Sequence, residues 1–178
     1  EIGERFDVIF SCHMIEHSLD LLDHLRKVER LLNPGGYYFV IAPNRDYTFD
    51  HFKPLSTAEE VIAHHVACDG EPQLSLHAYL LEISRRTHND APRHWRGDHG
   101  TWQYDPARFA AALRNYPKVN KNRVGRSGYH IWFFNDLSFA CLMEQLHELQ
   151  FVGLNLAGCF NSLRDSWSFN AILRRVAP

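Results

Sequence analysis

Two short apolar runs separated by an amphipathic segment constrain this chain more than any other feature of it. Phe6-Asp7-Val8-Ile9-Phe10-Ser11-Cys12 and Tyr37-Tyr38-Phe39-Val40-Ile41-Ala42 are rich in β-branched and aromatic residues, and the first lacks amphipathic alternation, as expected of a strand buried on both sheet faces. Between them Leu19, Leu22, Leu25, Val28, Leu31 and Leu32 recur at helical spacing, while Asp20, Asp23, Arg26, Lys27 and Arg30 take the other faces. Ser18 is the expected N-cap. Asn33-Pro34-Gly35-Gly36 stops the helix, because proline cannot continue the ladder and glycine accepts left-handed geometry. A strand, helix, strand crossover carries parallel strands in a right-handed connection, which predicts half of a doubly wound α/β domain.

Composition narrows the remaining classes. A length of 178 residues, 45% hydrophobic and 22% charged, fits one globular domain over 1–178 and excludes disorder and collagen. The longest apolar runs are strand-sized, far short of the roughly 20 residues of a bilayer crossing, so no membrane partner is expected. Four cysteines without CxxC spacing fit buried thiols in a reducing, cytoplasmic setting. The chain opens on Glu1 and enters a strand within six residues, which suggests a piece of a longer protein. The net charge of −2 hides a basic stretch over residues 85–126, where Arg85, Arg86, Arg93, Arg96, Arg108, Arg114, Lys118, Lys121, Arg123 and Arg126 face three acids. Such a stretch can steer an anionic small molecule, or be ordinary solvated surface; nucleic acid is not an expected partner.

From residue 43 to 128 the pattern changes to helices and loops, a large helical insertion within the domain. Thr57 and Glu60 have capping-box spacing for a helix through about Ala67, Gln73 to Arg86 is apolar-periodic, and Asp105-Pro106 opens a third helix through Leu113. The irregular stretch Thr87 to Tyr104 holds His88, His94, His99, Trp95 and Trp102, a candidate substrate loop or a plain surface loop. Sheet-like character returns at Tyr129 to Phe134. Asn135 or Asp136 then caps a helix, and Phe151 to Ala157 and Trp167 to Val176 read as a C-terminal antiparallel hairpin.

This ordered succession resembles the class I S-adenosylmethionine-dependent methyltransferases, in particular those with Glu-His after the fourth strand. Phe6-Asp7-Val8-Ile9 is similar to that strand, Ile15-Glu16-His17 to the pattern after it, and Leu31-Leu32-Asn33-Pro34-Gly35-Gly36 to the turn before strand five, with the C-terminal helix and hairpin matching strands six and seven. The resemblance implies a partial Rossmann-like, doubly wound sheet made of the later strands of a seven-stranded methyltransferase sheet. It implies S-adenosyl-L-methionine as cofactor and transfer of its methyl group to a small-molecule or carbohydrate-like acceptor. The family's glycine-rich loop is absent: no GxGxG occurs. Without the family's first strand, the first visible strand becomes an exposed edge through which the chain is expected to self-associate.

In open α/β sheets ligands sit beyond the carboxyl ends of the strands. Ser11, Cys12, His13 and Met14 follow the first strand; Pro43, Asn44, Arg45 and Tyr47 follow the second. By resemblance, Ser11, Cys12, His13 and Met14 lie along the cofactor, and His13, Asn44, Tyr47 and His51 face the methyl acceptor. Methyl transfer needs alignment above all, with a base where the acceptor must lose a proton. His13, His51 and His130 are candidates for that base by position. Arg45 is a further candidate for the acceptor side, and Trp95, Trp102 and Tyr104 near Arg93 and Arg96 are candidates to stack and neutralise a nucleotide or sugar-phosphate-like acceptor, against the alternative that the aromatics pack this stretch onto the core.

His13-Met14-Ile15-Glu16-His17 also spells HxxEH, the pattern of inverted zinc peptidases. That motif belongs inside a helix, whereas His13 ends a strand, so the favoured reading is that Glu16 and His17 tie down the helix start, with no metal assigned. Two further classes of function stand beside methyl transfer: a non-catalytic remnant or interaction module without cofactor binding, and an HxxEH metal-dependent hydrolase.

Overall fold

The computed structural model describes residues 3–102, 104–119 and 128–176; Lys121, Arg123 and Arg126 of the basic stretch lie outside them. It is an α/β fold built on a four-stranded mixed sheet in the order β1-β2-β4-β3, with β1 at Phe6–Cys12, β2 at Leu32–Pro43, β3 at Leu154–Phe160 and β4 at Ser168–Arg175. β1 pairs parallel to β2, and β4 runs antiparallel to both β2 and β3. The C-terminal hairpin is therefore as expected, and its last strand lies inside the sheet rather than at its edge.

Helix α1, Leu21–Leu31, joins β1 to β2 and buries Leu21, Leu22, Leu25 and Val28. Its cap is Asp20, whose Oδ1 accepts the Asp23 N–H at 2.9 Å. Ser18, the expected cap, instead ends a 3₁₀ turn over Ile15–His17, its N–H donating to the Ile15 carbonyl. β2 starts earlier than expected: Leu32 already pairs with Phe6, and Asn33 to Gly36 bulge out before the register resumes at Val8 and Tyr37. Gly35 in the bulge has φ +79°. Gly36 passes so close to β1 that a Cβ would lie 2.9 Å from the Asn33 carbonyl oxygen, 3.0 Å from that of Asp7 and 3.2 Å from that of Phe6.

The core lies on one face of the sheet. Tyr38, Val40 and Ala42 of β2, Phe169, Ala171 and Leu173 of β4 and Leu154 of β3 meet α1 and α6, Asp136–Glu148, which contributes Phe139, Leu142, Met143 and Leu146. Alternation sends the neighbouring side chains to the other face, where Val8 (55%) and Phe10 (60%) are exposed beside Tyr37. β1 is thus an edge strand with one open face among the described residues, not a strand covered on both sides. Two cysteines depart likewise from the expected burial: Cys12 and Cys141 are exposed, and all four thiols are free.

Between β2 and residue 119 the described residues form helices joined by loops. Helix α2, Ala58–Cys68, has the expected Thr57–Glu60 capping box; α3 spans Leu76–Ser84, α4 Ala91–Trp95 and α5 Pro106–Asn115, capped by Ser75, Asp90 and Asp105. Helix α4 falls within the stretch read as irregular, five residues being too short for periodicity to reveal. Tyr129 to Phe134 does not form the expected strand. The Phe134–Asn44 pair is an isolated bridge, and the Ile131 and Trp132 N–H groups donate to the Glu16 carbonyl. Ile131, Trp132, Phe133 and Phe134 are buried in the core, so burial explains an apolar run that strand pairing does not.

Gly36→Ala should destabilise the chain by about 1–3 kcal/mol, since backbone oxygens cannot swing aside as side chains do. Urea unfolding with an unchanged slope and a lowered midpoint is the expected outcome.

Candidate active site

The carboxyl ends of β1 and β2 meet at one rim. The His13 N–H donates to the Ile41 carbonyl at 2.9 Å, and the Asn44 N–H to the Trp167 carbonyl at 2.6 Å, so three chain segments are held level. A pocket of about 240 Å³ opens there, lined by His13, Pro43, Thr48, Phe49, Asn89, His130 and Trp167. An apolar pocket of about 260 Å³ between α2 and α3, lined among others by Ala63, Ala78, Leu81 and Trp132, lies elsewhere. The rim pocket is the candidate site because it lies at the carboxyl ends of the parallel strands β1 and β2, with polar groups converging on it.

His13 adopts φ +49°, the left-handed region that a non-glycine residue rarely occupies. Such a backbone persists where neighbours hold it, and here the ring is tied as well: Nε2 lies 3.0 Å from the Ser168 hydroxyl. Behind it Glu16 is fully buried, and neither carboxylate oxygen has a hydrogen-bond partner among the described residues. His17 Nε2 and His13 Nδ1 stand 3.5 and 3.7 Å from Glu16 Oε1. A buried carboxylate without donors is costly, so this point of the site is suited to a water or a cation.

His130 is oriented by Asp50. Its Nδ1 lies 2.5 Å from Asp50 Oδ2, and the carboxylate can only accept from the ring, which leaves Nε2 as the acceptor nitrogen. Burial alone would raise the Asp50 carboxyl; the His130 hydrogen bond and the Lys53 ammonium outweigh it and hold the group below the usual carboxylate range. Lys53 is completely buried, 2.7 Å from Asp50 Oδ1 and 2.5 Å from Glu82 Oε2, with its ammonium 4.6 Å from the centre of the Phe133 ring. Arg86 Nη1 completes the chain at 2.9 Å from Glu82 Oε1. Two carboxylates thus face two cations, and the set is neutral when His130 is neutral.

The other residues singled out from sequence divide clearly. Ser11 turns its hydroxyl into the helix-covered layer, 2.7 Å from the Tyr38 hydroxyl, which also meets His24 Nε2 at 3.1 Å; burial pushes the Tyr38 hydroxyl up to about 12. Cys12 and Met14 are exposed beside His13. Asn44 is buried and committed to the protein, donating to the Ser162 hydroxyl and accepting the Asp46 N–H, both at 3.0 Å. Arg45 pairs with Asp46 at 2.8 Å. Tyr47 and Trp95 stack on each other at 4.0 Å, and Trp95 Nε1 donates to the Ser166 carbonyl, the packing alternative for that tryptophan. Arg93 is held in an ion pair with Asp98 at 2.7 Å. His51 joins His94 and His99, apart from the rim pocket's lining.

The sequence reading missed Asp50, Lys53, Glu82 and the pocket walls Thr48, Phe49, Asn89 and Trp167. The Asp50–Lys53 and Glu82–Arg86 spacings were available as signals, but only burial separates them from solvated surface pairs. Among the described residues, Glu16, His17 and His130 bring potential metal-ligating atoms within 4.8 Å of one another, so the HxxEH pair His13 and His17 is not the grouping the fold favours.

Comparison with known proteins bears on the same rim. Residues 3–40, covering β1, α1 and most of β2, match the methyltransferase domain family. A ubiquinone biosynthesis O-methyltransferase of Ruegeria pomeroyi is 41% identical over 46 residues, which are 26% of this chain and 18% of that protein. The chain therefore matches less than a fifth of that relative's length. No helix among the described residues is long and apolar enough to cross a membrane.

Lys53→Met should cost about 3–5 kcal/mol, because it strands two buried carboxylates; chemical denaturation measures it. Because the folded Asp50 is depressed, its stabilisation is present above the unfolded carboxyl range and is lost as pH falls through the folded value. Asp50→Asn should accordingly flatten the fall of the urea midpoint between about pH 5 and pH 2; a steeper fall would contradict the assignment.

Proposed function

We propose that this chain forms part of an S-adenosylmethionine-dependent methyltransferase that acts on a small-molecule or carbohydrate-like acceptor, with His130 as the base that takes the acceptor's proton. The Asp50–His130 pair on the wall of the rim pocket carries this reading. Asp50 holds the Nδ1 proton in place and stabilises the imidazolium once Nε2 has accepted a second proton.

Cys12, His13 and Met14, exposed at the end of β1, fit one wall of a cofactor cleft; Ser11 contributes there by its backbone, since its side chain is engaged by Tyr38. When bound, the cofactor supplies a methyl group on a sulfonium, so displacement by the acceptor is in line. The protein's own contribution is alignment: His13 fixed by Ser168, Trp167 and Phe49 as apolar walls, and Asn89 as a polar contact from the segment before α4. Arg93 and Trp95 serve this reading by holding that segment together rather than by meeting the acceptor. The open edge of β1 is where the family's first strand would pair, extending these four strands toward a seven-stranded sheet, with residues 43–128 inserted after β2.

Calorimetric titration of the purified chain with S-adenosylhomocysteine, with oligomeric state measured in the same buffer, tests the cofactor reading. Saturable binding near one site per chain is expected, weakened by His13→Ala; a folded chain that does not bind overturns it in favour of a remnant without cofactor. For the base, His130→Gln should lower turnover on phenolic or sugar hydroxyl acceptors by about 10²–10⁴-fold while leaving S-adenosylhomocysteine binding intact. Unchanged turnover would remove His130 from the chemistry.

A further inference from the structure

A second group of histidines lies outside the chemistry described so far. His51 follows the 3₁₀ turn Arg45–Tyr47 after β2, His94 sits in α4, and His99 lies four residues beyond its end. One ring nitrogen from each lies within 4.8 Å of the others. The His51 and His99 rings stack at 3.7 Å with an interplanar angle of 8°, and the Nδ1 atoms of His94 and His99 are 3.0 Å apart.

The hydrogen bonds around the cluster decide which nitrogens are bare. His51 Nδ1 lies 2.9 Å from the Asp46 carbonyl, and His94 Nε2 lies 3.2 Å from the His88 carbonyl. A carbonyl only accepts, so each of these nitrogens carries the proton. His51 Nε2 and His94 Nδ1 are left with lone pairs, the latter accepting from His99 Nδ1; a metal ion would take that lone pair with His99 in its other tautomer. Carbonyl groups that orient imidazoles from behind are the usual support of metal-binding histidines. His88, although its ring stacks on His94 at 4.2 Å, has both nitrogens occupied, by the Asp98 carbonyl and the Asp90 N–H; only its backbone serves the cluster. His94 is buried, while His51 and His99 are half-buried, which leaves an open side for a water or another fourth ligand.

We propose that His51, His94 and His99 bind one transition-metal ion of the zinc class. Three neutral imidazoles without a carboxylate suit zinc, cobalt or copper and do not suit magnesium or calcium. The ion would clamp the segment carrying Asn89 and α4 onto the turn after β2, beside the Tyr47–Trp95 stack, and so fix one wall of the rim pocket from outside it.

Titration of the metal-stripped full chain with Co²⁺, followed by visible absorption, and with Zn²⁺, followed by calorimetry, tests this without methyl donor or acceptor. Its failure would thus leave the methyltransferase reading standing. One equivalent of metal is expected, with intense bands of a low-coordinate cobalt site. His51→Gln and His99→Gln, chosen because both rings are half-exposed, should each weaken binding at least about tenfold, and the double variant should lose the one-equivalent step while retaining its far-ultraviolet spectrum. His17→Gln, which strikes the other candidate grouping, should leave the affinity unchanged. The proposal is overturned if the folded wild-type chain takes up no stoichiometric metal, if the double variant binds as tightly as the parent, or if His17→Gln alone abolishes binding.

Discussion

Everything at the candidate site depends on the inner position of β2. It bonds to β1 on one side and β4 on the other, and those two ladders set the heights at which the strands end. Cys12 faces Ile41 and Ser168 faces Pro43, so His13, Asn44 and Trp167 emerge at one level, the His13 N–H on the Ile41 carbonyl and the Asn44 N–H on the Trp167 carbonyl. Strand ends released from the same ladder form a rim without further design. The polar groups that follow need only short turns to converge on it, which is why a 3₁₀ turn follows each of the two parallel strands.

The buried charges form a second layer of constraint behind that rim. Lys53 cannot be explained as a stabilising device, because burying an ion pair costs nearly as much as it returns. What the arrangement does secure is position. Asp50 is reached by Lys53 from one side and by His130 from the other, and Glu82 ties the same lysine to α3. The imidazole is thereby held by a carboxylate that is itself held, and the register between residues 50–53, α3 and residue 130 is fixed by buried charge pairs.

Local periodicity made part of this legible in the sequence. The β1–α1–β2 unit, the Thr57–Glu60 capping box and the C-terminal hairpin each follow from patterns contained within ten or so residues. Errors arose where the outcome depended on distant packing. Ser18 and Asp20 are equally good caps, and the choice fell to Asp20 because Ser18 closes the preceding turn. Tyr129 to Phe134 has strand composition, yet its N–H groups go to the Glu16 carbonyl, a partner more than a hundred residues away. The rim itself was foreseeable from the strand-end rule, which brought His13 into view. Asp50, Lys53 and Glu82 were not, since a charge pair at helical spacing looks the same in sequence whether water covers it or Phe133 does.

Burial also separates the three histidine roles that residue type leaves equivalent. His13 is exposed in a left-handed backbone, with Ser168 as its partner; His130 is buried and has a carboxylate; His51 has a carbonyl behind it and two other imidazoles in front. Burial lowers His51 and His94 below the ordinary imidazole value, which keeps those rings neutral and their lone pairs available near neutral pH. A carboxylate partner instead fixes the tautomer of His130, leaving Nε2 as its acceptor nitrogen. The two groups of histidines thus differ in what holds each ring, not in residue type. The difference comes from the group that accepts the ring's N–H, a backbone carbonyl in one case and Asp50 in the other.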